Sequence, residues 1–409
     1  MAGIEGYFGP QLTDQEYEEL CYRSYPRQIQ RPSSINLPNS SLPRITKVVS
    51  PEEDNADSVI QKYVGIGIGL ATLLTENLLS HPFVVIRRQC QVNHSSKKYH
   101  LVPITLVPVI IHLHKRQGIT TLWKGIGSVL LVRGMTLAVE DFISKITPWP
   151  KEISWHVDSF KTIGQHLLLK CVTLSIITPF YSASLVETVQ SDIASEKPGI
   201  FDVFREGLCR LVSWGSPQKG RMLPVWTLVF PTVIYGVFKY LFGTLVKNVS
   251  ASIMHINYRY EHQRKGAYPK DWLNPTIIQE IEVSAQLLSL IASEAVFYPL
   301  ETILNRLHLQ GTRTIIDNLD NGFDVTAILT NYKGTMDCYD TAISQEGSRG
   351  LYKGFGALIL QFTAHYAVLK LTRFILTQVS ILLKSSRPPS PPAFRPINNP
   401  PELGRTPFR

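Results

Sequence analysis

Six apolar stretches recur between residues 64 and 383, each long enough for a helix to cross a hydrocarbon core of about 30 Å. They cover 64–86, 126–146, 163–189, 223–246, 281–304 and 355–383, and polar connections separate them. Lys170, Glu187, Glu294, Glu301, Lys370 and Arg373 interrupt the third, fifth and sixth. A charge at a helix centre costs about 2.5–3.5 kcal/mol on insertion scales, so such residues face a partner or a watery interior. The pattern predicts an all-α membrane protein with six transmembrane helices. A buried helical core in a soluble protein is the alternative.

The ends read differently. Residues 1–60 are rich in Ser, Asn and Pro, and 385–409 carry Pro388, Pro389, Pro391, Pro392, Pro396, Pro400, Pro401 and Pro407. Such stretches bury too little apolar surface to offset ordering entropy, so both are expected to be disordered tails. Glu5, Asp14, Glu16, Glu18 and Glu19 argue against a cleaved leader.

Composition supports the membrane reading, because charged residues make up 18% against about 25% in soluble domains. The net charge of +9 suits anionic lipid, nucleic acid or acidic metabolites, and charge alone does not choose. Basic residues and aromatics do not interleave on one polar surface, which disfavours nucleic acid. Cys21, Cys90, Cys171, Cys209 and Cys338 form no CxxC pair, so no metal or cofactor is expected. No nucleophile, base and metal constellation marks an enzyme. Gly65, Gly67 and Gly69 lie in an apolar run and read as a helix-packing surface rather than a phosphate cradle.

Internal comparison divides the chain into units at 61–150, 160–250 and 280–384. The first has Pro82, Arg87 and Gln91, then Gly118 and Trp123-Lys124-Gly125; the third has Pro299, Glu301 and Arg306, then Glu346-Gly347 and Tyr352-Lys353-Gly354. The middle copy is worn, keeping Pro179, Glu187, Glu206-Gly207 and Trp214-Gly215. Glu76 and Glu294, on corresponding odd helices, read equally as lining a central cavity or as hydrogen-bonded to a neighbouring helix, and Lys170 is a further cavity candidate.

This arrangement resembles the mitochondrial carrier family, whose repeats pair a proline-kinked odd helix with an aromatic-[KR]-G signature before an even helix. The strings at 65–83, 166–191 and 298–318 more narrowly resemble a divergent outer-membrane branch, kin to a yeast fusion factor. The resemblance implies a multi-pass protein of the outer mitochondrial membrane acting in fission, fusion, membrane organisation and lipid homeostasis. Its implied partners are acidic phospholipids such as cardiolipin and the fission/fusion and cristae-organising machinery. Basic residues concentrate after the odd spans, which also suits acidic lipid.

In carriers, three ion pairs close one end, each joining an acid two residues after a kink proline to a base five residues after another. The acid positions here hold Val84, Tyr181 and Glu301, and the base positions Arg87, Ser184 and Leu304. Only Arg87 with Glu301 is expected to pair. The fourth and sixth spans contain no Asp or Glu, so the opposite gate lacks its acids. These losses favour an adaptor over the alternative, a working transporter of an unidentified small solute or lipid.

Overall fold

The computed structural model describes residues 67, 70, 74–151, 153, 159–192, 201–212, 222–264, 275–320 and 324–385. The expected tails lie outside these residues except for Ser385, the last residue of a helix.

The first span departs from the expected single helix. A π-helical turn at Thr75–Leu79 precedes helix α1, His81–Val92, with Pro82 in its first turn. Pro82 has no N–H to offer the carbonyl of Leu78, four residues back. Trp123 Nε1 donates to that carbonyl at 3.0 Å instead. The signature aromatic therefore repairs the break that the proline makes.

After a short helix α2, Val107–Gln117, the chain forms α3, Ile126–Ile146, whose ends match the second expected span. It carries Arg133, Glu140, Asp141 and Lys145. The third span is α4, Phe160–Val189, with Pro179 inside it, followed by the amphipathic α5, Asp202–Val212. The fourth is α6, Val225–Arg264, which runs far past the expected end at residue 246. The fifth is α7, Pro275–Leu309, which contains Pro299. Among the described residues, three helices are long and apolar enough to cross a membrane: Phe160–Val189, Val225–Arg264 and Ile277–Leu309.

Among the described residues, the all-α expectation meets one exception. Strands β1, Ile315–Asp317, and β2, Val325–Ala327, form an antiparallel hairpin after α7, with Ile316 opposite Thr326. Ile316 is buried among Val92, Leu185, Val189 and Leu309, at the meeting of the ends of α1, α4 and α7, and the adjoining Asp317, pointing to the opposite face, is buried as well. Helices α8, Thr335–Glu346, and α9, Phe355–Ser385, complete the order.

Neighbour contacts run from α3 to α4, α4 to α6, α6 to α7 and α9 to α1. Val283 and Leu287 of α7 meet Leu369 of α9 in an apolar cluster. Arg133 of α3 bonds Asn77 of the π-helical turn. Cys338 and Ala342 set α8 against Ile303 and Leu307 of α7. The short helices and hairpin thus gather at one end of the bundle.

Candidate functional site

That end is where the odd helices converge and where the expected gate positions lie. Arg87 is buried between Glu301, at 3.1 Å, and Glu294, at 3.0 Å. The expected gate pair forms, and Glu294, outside the gate positions, holds the same arginine from a second side. Lys239 of α6 reaches Glu294 at 2.8 Å and the Tyr235 hydroxyl at 2.9 Å. Glu294 is accordingly not a free cavity group, because two cations from two helices hold it. A buried carboxylate needs such compensation. Gln91 Nε2 extends the network to Glu301, and Asn305 Nδ2 donates to Gln91 Oε1 at 2.8 Å.

The other gate positions are neutral. Tyr181 donates its hydroxyl to Asn305 Oδ1 at 3.1 Å, and Ser184 bonds Ser128 at 3.4 Å. Lys170 also leaves the expected cavity role, since its ammonium is paired with Glu140 of α3.

The signature turns are built twice to one plan. Gly125 and Gly354 both have left-handed backbones, at φ +68° and +81°, which glycine adopts without a Cβ penalty. Each is also pressed against a helix end. A Cβ on Gly125 would lie 3.0 Å from the Thr188 nitrogen and 3.1 Å from the Glu187 carbonyl carbon; one on Gly354 would lie 2.6 Å from Cys90 Cβ. The first turn thus lands on α4 and the third on α1. The residue before each kink proline anchors the turn: His81 Nε2 donates to the Lys124 carbonyl at 2.9 Å, and the Tyr298 hydroxyl to the Lys353 carbonyl at 2.7 Å. Tyr352 stacks on Tyr298, with ring centroids 5.9 Å apart.

The two lysines are satisfied differently. Lys353 is fully buried, pairs with Glu346 at 2.7 Å and donates to the carbonyls of Asn93, His94 and Ser96. Arg306 makes a two-pronged bond to the same Glu346, at 2.6 and 3.0 Å, and its Nε donates to the Gln91 carbonyl. Lys124 instead pairs at 3.0 Å with Asp317, on the hairpin. Asp317 also accepts from Gln89, Gln117 and Ser191, the last at 2.5 Å. Burial pushes the Asp317 carboxyl up; Lys124 and these hydrogen bonds outweigh it and leave the group below its ordinary value. Burial beside Arg306 and Lys353 holds His94 below the ordinary histidine range.

Pro179 is buried in α4 and Glu187 is half-buried at its end. Trp214 lies outside the described residues, as does the side chain of Glu76. Sequence reasoning missed Lys239, Gln89, Gln117 and Asp317. Gln89 and Gln117 had a signal: they occupy the first-unit positions of Arg306 and Glu346. Asp317 had none, because only the hairpin brings it to Lys124. The expected packing role of the glycine run is seen at Gly67, where a Cβ would lie 3.1 Å from Leu376 of α9. Gly65 and Gly69 lie outside the described residues.

The family profile described as mitochondrial carrier protein matches residues 61–144 and 282–376. The chain is 45% identical over 322 residues to the mitochondrial outer membrane protein SLC25A46 of Gallus gallus, covering 77% of each. The chain belongs to the mitochondrial carrier family. It is 44% identical over 316 residues to the Homo sapiens protein of the same name, covering 77% of this chain and 75% of that one. Solute carrier family 25 member 46-A of Xenopus laevis is 42% identical over 330 residues, covering 80% of this chain and 77% of the relative. Within the carrier family, these relatives and the candidate spans make this chain a protein of the outer mitochondrial membrane. The two matched stretches contain the two turns just described, and the worn copy falls between them.

Proposed function

We propose that this chain is a six-helix, three-unit carrier scaffold that no longer transports and serves as an adaptor in mitochondrial fission, fusion, membrane organisation and lipid homeostasis. The observation that carries the reading is the state of the gate: of the three expected acid–base pairs, Arg87 with Glu301 alone has two charged members, and Glu294 secures that arginine from a second side. Alternating access needs two closed states of similar stability. An arginine held by two carboxylates, Glu301 buried and Glu294 partly buried, favours one state. The neutral contacts of Tyr181 and Ser184 supply no counterweight. On this reading the bundle presents its tails, loops and lipid-facing helices to acidic phospholipid and to proteins that shape the organelle.

The competing reading, a transporter of a small solute or lipid, draws on Lys239 and Glu294, whose side chains keep some exposure inside the helix bundle. Purified protein in liposomes distinguishes the two. No counter-exchange of nucleotides or carboxylates above background is expected, while cells lacking the protein show altered mitochondrial length or connectivity. Saturable, substrate-specific exchange would overturn the adaptor.

A further inference from the structure

Helix α6 has 40 residues, about 60 Å at 1.5 Å per residue, or twice the hydrocarbon thickness. Charged pairs mark where its apolar part ends. Lys247 of α6 meets Glu282 of α7 at 3.3 Å, and Arg373 of α9 meets Glu280 at 2.5 Å. Residues 248–264 therefore project beyond this level by about 26 Å.

Among the described residues, nothing covers an apolar row on this projection. Val249, Ile253, Ile256 and Tyr260 are 50%, 61%, 66% and 66% exposed. Their spacing of four, three and four residues is that of a coiled-coil seam, which wants a second helix. The positions flanking the seam are Ser250, Ser252, Asn257, Arg259 and Arg264, with no acid among them. A second copy would set arginine near arginine. The fitting occupant is an acidic amphipathic helix.

One segment of this chain has that chemistry and can reach the row. Thr13-Asp-Gln-Glu16 is a helix-start signature. The residues after it place Tyr17, Leu20 and Cys21 at helical spacing, with Glu16, Glu18 and Glu19 beside them. Gly67 lies against Leu376 of α9, three residues past the Arg373 level, so the chain before it starts from the side where α6 projects. The 45 or so residues between Cys21 and Gly67 span at most about 150 Å when extended, far more than the overhang. Tethering raises the effective concentration of such a segment to the millimolar range.

We propose that residues 13–22 dock as an acidic helix along the Val249–Ile253–Ile256–Tyr260 row of α6. The docked segment covers apolar surface that water would otherwise meet, and its removal opens the row to other acidic helices.

The test uses the full chain in phospholipid nanodiscs with Cys171→Ser, Cys209→Ser and Ile256→Cys. Cys21 is the native probe, and Cys90 and Cys338 are buried. Mild oxidation should join Cys21 to the introduced thiol within one chain. The yield should exceed at least tenfold that of Ile146→Cys, an exposed control at the end of α3. Reversing Glu16, Glu18 and Glu19 to Lys should lower it at least tenfold. Equal yields at both positions, a disulfide-linked dimer, or quenching of a fluorophore on Ile256→Cys by nitroxide lipid would each overturn the proposal, pointing to random collision, a second copy or the membrane respectively.

Discussion

The first and third signature turns hold the same lysine by different means. In the third, the charges are local to the unit: Arg306 and Lys353 share Glu346. In the first, the corresponding positions are Gln89, Lys124 and Gln117, so these positions supply a cation and no acid. Asp317, from the hairpin of the third unit, supplies the carboxylate and accepts from all three. A buried lysine requires a counter-charge, but the physics does not specify which segment provides it. Losing an acid from a motif is therefore compatible with keeping the motif's electrostatics.

Replacing the shared carboxylate should have the largest effect on this contrast. Glu346→Gln leaves Arg306 and Lys353 buried without an anion and should cost about 3–5 kcal/mol, read as a fall in thermal stability in detergent. Adding Arg306→Gln recreates the glutamine pair of the first unit and should recover part of the loss. If the double variant is as unstable as the sum of the two single variants, the two residues are not coupled.

Asp317→Asn should be milder, about 1.5–3 kcal/mol, because one cation is stranded and an amide oxygen remains to accept. Limited proteolysis should cut between residues 310 and 330 sooner in this variant. An unchanged cleavage rate would mean that Lys124 does not hold the hairpin.

The smallest effect is on pH dependence. The folded chain holds His94 neutral below the ordinary value of 6.5. As pH falls through 6.5, the unfolded chain takes up a proton that the folded chain refuses, and stability drops. The Asp317 carboxyl sits below its ordinary 3.8, so its contribution is complete above that value and is lost only as pH falls further. Going from pH 7 to pH 5 should thus raise hydrogen exchange in the loop around Lys353 and leave the hairpin protected. The reverse order would contradict both assignments.

The legible parts were those written in local pattern. The ends of α3 followed from apolar run length, and the Arg87–Glu301 pair from what the resemblance to carriers implies at the kink prolines. The interruption before α1 was not legible, since 64–86 reads as one apolar run and the π-helical turn answers to Pro82 and a tryptophan 45 residues away. Lys239 was missed because its span holds no acid to pair with it; its carboxylate partner, Glu294, comes from another helix. The overhang of α6 hid for a simpler reason: past residue 246 the helix continues after the hydropathy has fallen.

The docking of Gly354 against α1 has a consequence for how the chain matures. Lys353 and Asn93 are 260 residues apart in sequence, and the carbonyls that follow α1 gain this donor only when that distant turn arrives. Closing so long a loop is entropically uphill and slow. During synthesis, the earliest helix therefore waits for almost the last one. A chain halted after α7 would leave the carbonyls of Asn93, His94 and Ser96 without the Lys353 ammonium, so truncation should reduce abundance more than a missing final helix alone would suggest.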